Sequence, residues 1–255
     1  MTALRQSPIS RRVSASTLDP AEIAKFGKLA AEWWDPNGPF AALHRMNPLR
    51  LGFARDRAIE HFGVRQPKPL TGLQVLDLGC GGGLVSTPLA RLGANVLGLD
   101  GAEEAVMAAR AYVQEAGLSA KFEVGTAEGL AERRAGSFDL ITALEVVEHV
   151  ADLNVFLAAV VTLLKPGGLL VVSTINRTPQ ARALALFAAE KVLNMAPDGA
   201  HEFEKLVTPD ELQGAAPALE WDHPIGMRFN PLLRSWSLSS DLSINYLRAA
   251  TKPAS

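Results

Sequence analysis

Two carboxylates and an imidazole stand together in Glu145-Val146-Val147-Glu148-His149, directly after the apolar run Phe138 to Leu144. If the chain turns helically after Leu144, then Glu145, Glu148 and His149 share a face through i, i+3 and i+4 spacing. Such a set can hold a divalent ion through one or two carboxylates. It can also serve acid–base chemistry, with His149 as the base and Glu145 beside it. Either use suits attack by a phenol, whose pKa of about 10 keeps the reactive anion scarce at neutral pH. A metal lowers that pKa and orients paired catechol oxygens. The competing reading is that Glu148 and His149 only order the loop.

A second constellation supplies what such an acceptor could react with. Val75-Leu76-Asp77-Leu78 runs into Gly79-Cys80-Gly81-Gly82-Gly83, which reads as a buried strand entering a tight turn. Glycines there let a ligand approach the backbone. The next strand, Asn95-Val96-Leu97-Gly98-Leu99-Asp100, ends on a carboxylate that can accept both hydroxyls of a ribose. Asp77 narrows the ligand. A carboxylate at a strand's C-terminal end would repel a dinucleotide pyrophosphate and attract the ammonium of a methionine moiety. Leu84 also occupies the third glycine's place in the dinucleotide fingerprint. S-adenosylmethionine therefore fits better than NAD.

The elements that must position these groups alternate along the chain. The pattern predicts helix 85–92, strand 95–100, helix 102–116, strand 121–125, strand 138–144, helix 152–164 and strand 169–175. Asp152 is a suitable N-cap, and Pro166-Gly167-Gly168 ends the helix that it starts. Strands separated by single helices imply right-handed crossovers and an α/β, doubly wound, mainly parallel sheet. After residue 205 the pattern changes. Segments near 219–229 and 234–248 read as an antiparallel C-terminal strand pair.

Composition sets the class. The chain has 255 residues, 48% apolar content and a net charge of −2, so no general positive field draws it to nucleic acid. The lone Cys80 excludes an internal disulfide and a cysteine zinc cluster. No apolar stretch approaches the roughly 20 residues of a membrane span. Residues 1–18 read as a disordered tail, and 19–255 as a single domain. Within it, 19–65 form an N-terminal helical cap in which Asp19 and Pro20 start a helix. The Trp33-Trp34 pair reads as core packing. A further helix is expected over 49–61, carrying Arg50, which spacing alone allows to be either a solvated arginine or one that holds the methionine carboxylate in bidentate fashion. Residues 176–207 form an insertion whose helix, from Thr178-Pro179 to about Met195, is apolar nearly all round. Such a helix is either core or a lid or membrane-surface element.

With those residues in view, the chain resembles the UbiG family of ubiquinone-biosynthesis O-methyltransferases, from about residue 19 to 248. The resemblance is carried by Trp33-Trp34-Asp35, by His44 to Gly52, by Asp77 to Gly83 and by Glu145 to Val150. Lys165-Pro166-Gly167-Gly168 and Ser173-Thr174-Ile175-Asn176-Arg177 complete it. Met46 departs from the family's usual Ile. The glycine turn and Asp100 are common to class I methyltransferases, whereas the Trp-Trp and Asn47-Pro48-Leu49-Arg50 segments are more specific. The resemblance implies S-adenosylmethionine contacts at Arg50, Gly79, Asp100 and Leu144, and Gly81 and Ala127 join Asp77 in the candidate set. It implies a divalent-metal role, with Mg²⁺ the candidate, for Glu145, Glu148 and His149. It also implies both O-methylation steps of the pathway, on a polyprenyl catechol and on a demethylubiquinol. Lipid contact through 176–207, a cytoplasmic location at the inner membrane and other enzymes of the pathway as partners follow in the same way. The alternatives are O-methylation of another lipophilic phenol, or a non-catalytic peripheral membrane module that binds the cofactor.

Overall fold

The computed structural model describes residues 17–29, 32–183, 203–230, 232 and 235–254. A seven-stranded sheet dominates it, with strand order β3-β2-β1-β4-β5-β9-β6. The strands are β1 Gln74–Leu78, β2 Asn95–Asp100, β3 Ala120–Val124, β4 Phe138–Leu144, β5 Leu164–Ile175, β6 Glu220–Trp221 and β9 Asn245–Thr251. The first five pair in parallel, and β9 runs antiparallel to both β5 and β6. A separate antiparallel pair joins β7, Gly226–Asn230, to β8, Ser235–Ser239. The expected doubly wound sheet and antiparallel C-terminal pair are both present. The segment read as one strand over 234–248 is instead two. Asp241 N donates to Ser239 Oγ at 3.1 Å, and Ser243 N donates to Asp241 Oδ1 at 2.9 Å, so a side-chain-bonded turn separates β8 from β9.

Strand periodicity divides the core into two layers. Leu76, Leu78, Leu97, Leu99 and Ile141 point to one face and meet Phe156, Leu157 and Leu163. Val75, Val96, Leu140 and Val171 point to the other and meet Phe53, Ala54, Ala58 and Leu89. The covering helices are α1 Pro20–Lys28, α2 Ala41–Phe62, α3 Ser86–Arg91, α4 Glu103–Glu115, α5 Ala127–Arg134, α6 Leu153–Leu163 and α7 Pro209–Ala215. The Asp152 carboxylate caps α6, accepting from Asn154 N at 2.9 Å and Val155 N at 3.1 Å. Helix α2 begins well before the expected position and carries Pro48 inside it. Proline at that point reads as a helix start in sequence. Burial of Ala41, Asn47, Arg50 and Phe53 holds the longer helix in place.

This topology fixes where a ligand goes. Strand order reverses between β1 and β4, and open α/β sheets bind ligands beyond the carboxyl ends of the strands at such a switch point. The turn after β1, the end of β2 and the end of β4 therefore converge.

Candidate active site

The glycine turn is shaped by a tryptophan from the N-terminal region. Gly79, Gly81 and Gly83 have φ of 62°, 49° and 87°, in the left-handed region that glycine adopts without strain. A Cβ on Gly81 would come within 2.4 Å of Trp33 Cη2, and one on Gly79 within 2.6 Å of Val146 Cγ2. Trp33 stacks on Phe40 with ring centroids 3.7 Å apart. Trp34 Nε1 donates to Gly82 O at 3.0 Å and stacks on Tyr112. Asn47 Nδ2 donates to Leu84 O at 3.1 Å. The Trp-Trp pair is thus packing, as its composition suggested, and the surface it packs against is the turn itself.

Beyond the turn lies a cavity of about 530 Å³, a volume suited to a cofactor and a small acceptor. Arg50, Gly79, Asp100, Ala127, Leu144, Glu145 and His149 all line it. Asp100 Oδ2 accepts from Gly81 N at 2.9 Å and Oδ1 from Ala102 N at 2.8 Å, which aims both oxygens and leaves lone pairs for diol hydroxyls. Burial pushes its carboxyl upward, and the two backbone donors oppose that shift. Arg50 is 2% exposed. Its Nη2 donates to Asn47 Oδ1 at 2.5 Å, and its Nη1 lies 3.5 Å from Glu145 Oε1. Its Nε and Nη1 make no hydrogen bond. A buried guanidinium with donors to spare calls for an anion. A methionine carboxylate meets that need, so the cavity fits S-adenosylmethionine at both ends.

Three candidates fall elsewhere. Asp77 does not reach the cavity. Strand alternation turns it away from the face of Leu76 and Leu78, where its carboxylate accepts from Ser86 Oγ at 2.5 Å and Thr142 Oγ1 at 2.8 Å. Burial raises its carboxyl to about 6, and these hydroxyls oppose the rise. Its place is to tie the end of β1 to the start of α3 and to β4, not to meet an ammonium. Gly81 likewise packs on Trp33 and reaches the cavity only through the amide it gives to Asp100. Glu148 is 2% exposed and accepts from Thr174 Oγ1 at 2.8 Å. Burial, and next the charge of Glu145, push its carboxyl well above the usual range.

The shared face expected for Glu145, Glu148 and His149 does not form. Glu145 has φ of 57°, which for a side-chain-bearing residue is the strained left-handed region. Residues Val147–His149 then make a 3₁₀ turn and not an α-helix. The two glutamates stay beside each other, while His149 turns away from them. Glu145 Oε1 accepts from Ser173 Oγ at 2.7 Å, Glu148 turns to Thr174, and His149 Nδ1 lies 3.0 Å from Glu22 Oε2. Among the described residues no group of three or more histidine, cysteine, aspartate or glutamate side chains is placed to hold a metal ion. The metal role read for these three residues does not fit this arrangement, and no step below runs through a metal.

Sequence reasoning missed Glu22, Thr17 and Leu18, which also line the cavity. Glu22 stands three residues after the helix-starting Asp19, a spacing that signals a helix cap and conceals any other use.

The comparisons with known proteins agree with this geometry. Residues 76–172 match the family model described as a methyltransferase domain. Magnesium protoporphyrin IX methyltransferase from Synechocystis, solved with bound SAH, superposes with a TM-score of 0.63 at 18% identity, covering 90% of this chain and 94% of that one. A possible histamine N-methyltransferase from Thermotoga maritima gives a TM-score of 0.63 at 19% identity, covering 91% and 98%. With the cavity at the switch point, these matches show the class I methyltransferase fold. Sequence comparison goes further. The ubiquinone biosynthesis O-methyltransferase of Rhizobium etli is 49% identical over 245 residues, covering 94% of this chain and 98% of the relative. That of Maricaulis maris is 46% identical over 240 residues, covering 93% and 94%. The chain belongs to the ubiquinone biosynthesis O-methyltransferase family.

Proposed function

We propose that the enzyme methylates a phenolic hydroxyl of polyprenylated ubiquinone precursors, at both the catechol and the demethylubiquinol steps. The observation that carries this reading is a single cavity lined by Arg50 and Asp100, which suit the cofactor, and by His149 with Glu22 beside it. Arg50 holds the methionine carboxylate and Asp100 the ribose hydroxyls. Gly79 permits close backbone approach, while Ala127 and Leu144 flank the nucleoside. When bound, S-adenosylmethionine supplies a sulfonium methyl group and departs as the neutral thioether. His149 takes the phenolic proton as the oxygen–carbon bond forms. The positive charge leaves the sulfur and reappears on the imidazolium of His149, beside the Glu22 carboxylate, so none is left against the apolar side chains Leu43, Met46, Ile175, Leu206 and Ile244 on the cavity wall. Much of the rate comes from holding oxygen, methyl and sulfur in line.

The deciding experiment combines the purified enzyme with S-adenosylmethionine and a short-chain prenyl catechol. Mass spectrometry should find a product heavier by one methylene, with SAH formed in equal amount. Faster turnover of an unrelated lipophilic phenol would move the substrate elsewhere. Cofactor binding without any product would favour a non-catalytic module.

The same reading places the enzyme at the bilayer, because a prenyl tail leaves lipid at a cost of about 0.8 kcal/mol per methylene. Among the described residues no helix is long and apolar enough to cross a membrane. The proposed contact is peripheral, at the inner membrane, through the insertion 176–207. Most of its apolar helix, including Leu186 and Phe187, lies outside the described residues. Changing both of these to serine is expected to weaken co-sedimentation with liposomes and to leave turnover of a tail-free catechol unchanged. Sedimentation equal to that of the unaltered enzyme would remove the helix from this role.

A further inference from the structure

The carboxylate of Glu22 comes from a helix more than a hundred residues away from the loop it faces. Its Oε2 lies 3.0 Å from His149 Nδ1, an ion-pair distance at which the hydrogen bond is not closed in this conformation, and the two side chains are only 14% and 16% exposed. Both line the cavity. The contact is held from both sides. Ala151 N donates to Thr17 O at 2.9 Å, and Leu18 bridges to Val150, so the chain entering α1 is stitched to the residues that follow His149. Thr17 Oγ1 also donates to the buried Glu128 Oε1 at 2.6 Å. Lys205 Nζ meets Asp19 Oδ2 at 3.3 Å.

We propose that Glu22 is a positioning residue that orients His149 for proton acceptance from the phenol, so that the active site is complete only when α1 is docked. The inference rests on His149 acting as the base. A small rotation of the ring closes an Nδ1–H bond to this carboxylate, which selects the tautomer protonated there and leaves Nε2 as the acceptor. It also stabilises the imidazolium formed when the proton moves from the phenol oxygen to Nε2, and that proton later passes to water. The same logic orients the histidine of hydrolase triads.

A competing role is structural. A glutamate in the first turn supports a helix N-terminus by charge and by capping. Glu22→Gln separates the two, because glutamine caps equally well but lacks the charge that imidazolium needs. Glu22→Gln should lower kcat about tenfold or more, a part of the range for general base catalysis. S-adenosylmethionine affinity should stay within about twofold and the melting temperature should hold, as a loss confined to the transition state requires. In a His149→Ala background the same change should have no further effect, since it acts only through the imidazole. Nitrogen-15 NMR of the free enzyme should show His149 protonated at Nδ1.

Several results would overturn the inference alone: an unaltered kcat in Glu22→Gln beside an impaired His149→Ala, an equal loss in both backgrounds, a loss shared with cofactor affinity or stability, or an imidazole protonated at Nε2. Full turnover in His149→Ala would overturn the base assignment and, with it, this inference.

Discussion

Replacing His149 by alanine is expected to lower kcat by about 10²–10⁴-fold, the range for loss of a positioned general base. Affinity for S-adenosylmethionine should change little. In the proposed reading the imidazole, with Glu22 beside its Nδ1, meets the acceptor, while the cofactor contacts proposed for Arg50 and Asp100 come from α2 and from the end of β2. A residue that acts only in the transition state lowers kcat and kcat/KM together. Steady-state kinetics on a prenyl catechol, with calorimetric titration of the cofactor, reads both quantities. A fall in cofactor affinity as large as the fall in kcat would place His149 in cofactor binding. An unchanged kcat would make it a loop-ordering residue.

Replacing Asp100 by alanine should weaken S-adenosylmethionine binding by about 2–3 kcal/mol, the scale for losing a charged acceptor of two hydrogen bonds. Two effects add. The ribose hydroxyls lose their acceptor, and the amides of Gly81 and Ala102 lose the oxygens that fix the glycine turn. A melting curve without ligand separates them, since only the second effect lowers stability in the absence of the cofactor. Unchanged affinity would remove Asp100 from the site, and tighter binding of NAD than of S-adenosylmethionine would overturn the cofactor assignment itself.

Much of this molecule is legible from local chemistry. The runs 74–78, 95–100 and 138–144 are buried on both faces in the structure. Apolar continuity bounded by glycine is how a central parallel strand is written. Asp152 and Thr208 cap their helices by short-range bonds that spacing alone encodes. Asp100 is readable for a related reason: a carboxylate ending the second strand of a doubly wound sheet has one place to go. Arg50 is less so. Its type suggests an anion, but only burial of the guanidinium without enough partners gives that suggestion force.

Other features were settled by the tertiary structure. The face shared by Glu145, Glu148 and His149 was inferred from helical spacing, and backbone conformation defeats it. With φ of 57° at Glu145 and a 3₁₀ turn after it, three nearby residues find three different partners. Asp77 looks like a ligand-facing carboxylate until strand alternation turns it toward Ser86 and Thr142. Glu22 looks like a capping residue until the packing of α1 against α4 and the loop after His149 sets it against that imidazole. Local sequence determines strands, caps and turns because their bonds close within a few residues. The pairing of a carboxylate with an imidazole or a hydroxyl across the fold depends on backbone conformation and on which elements meet, and only the assembled chain decides that.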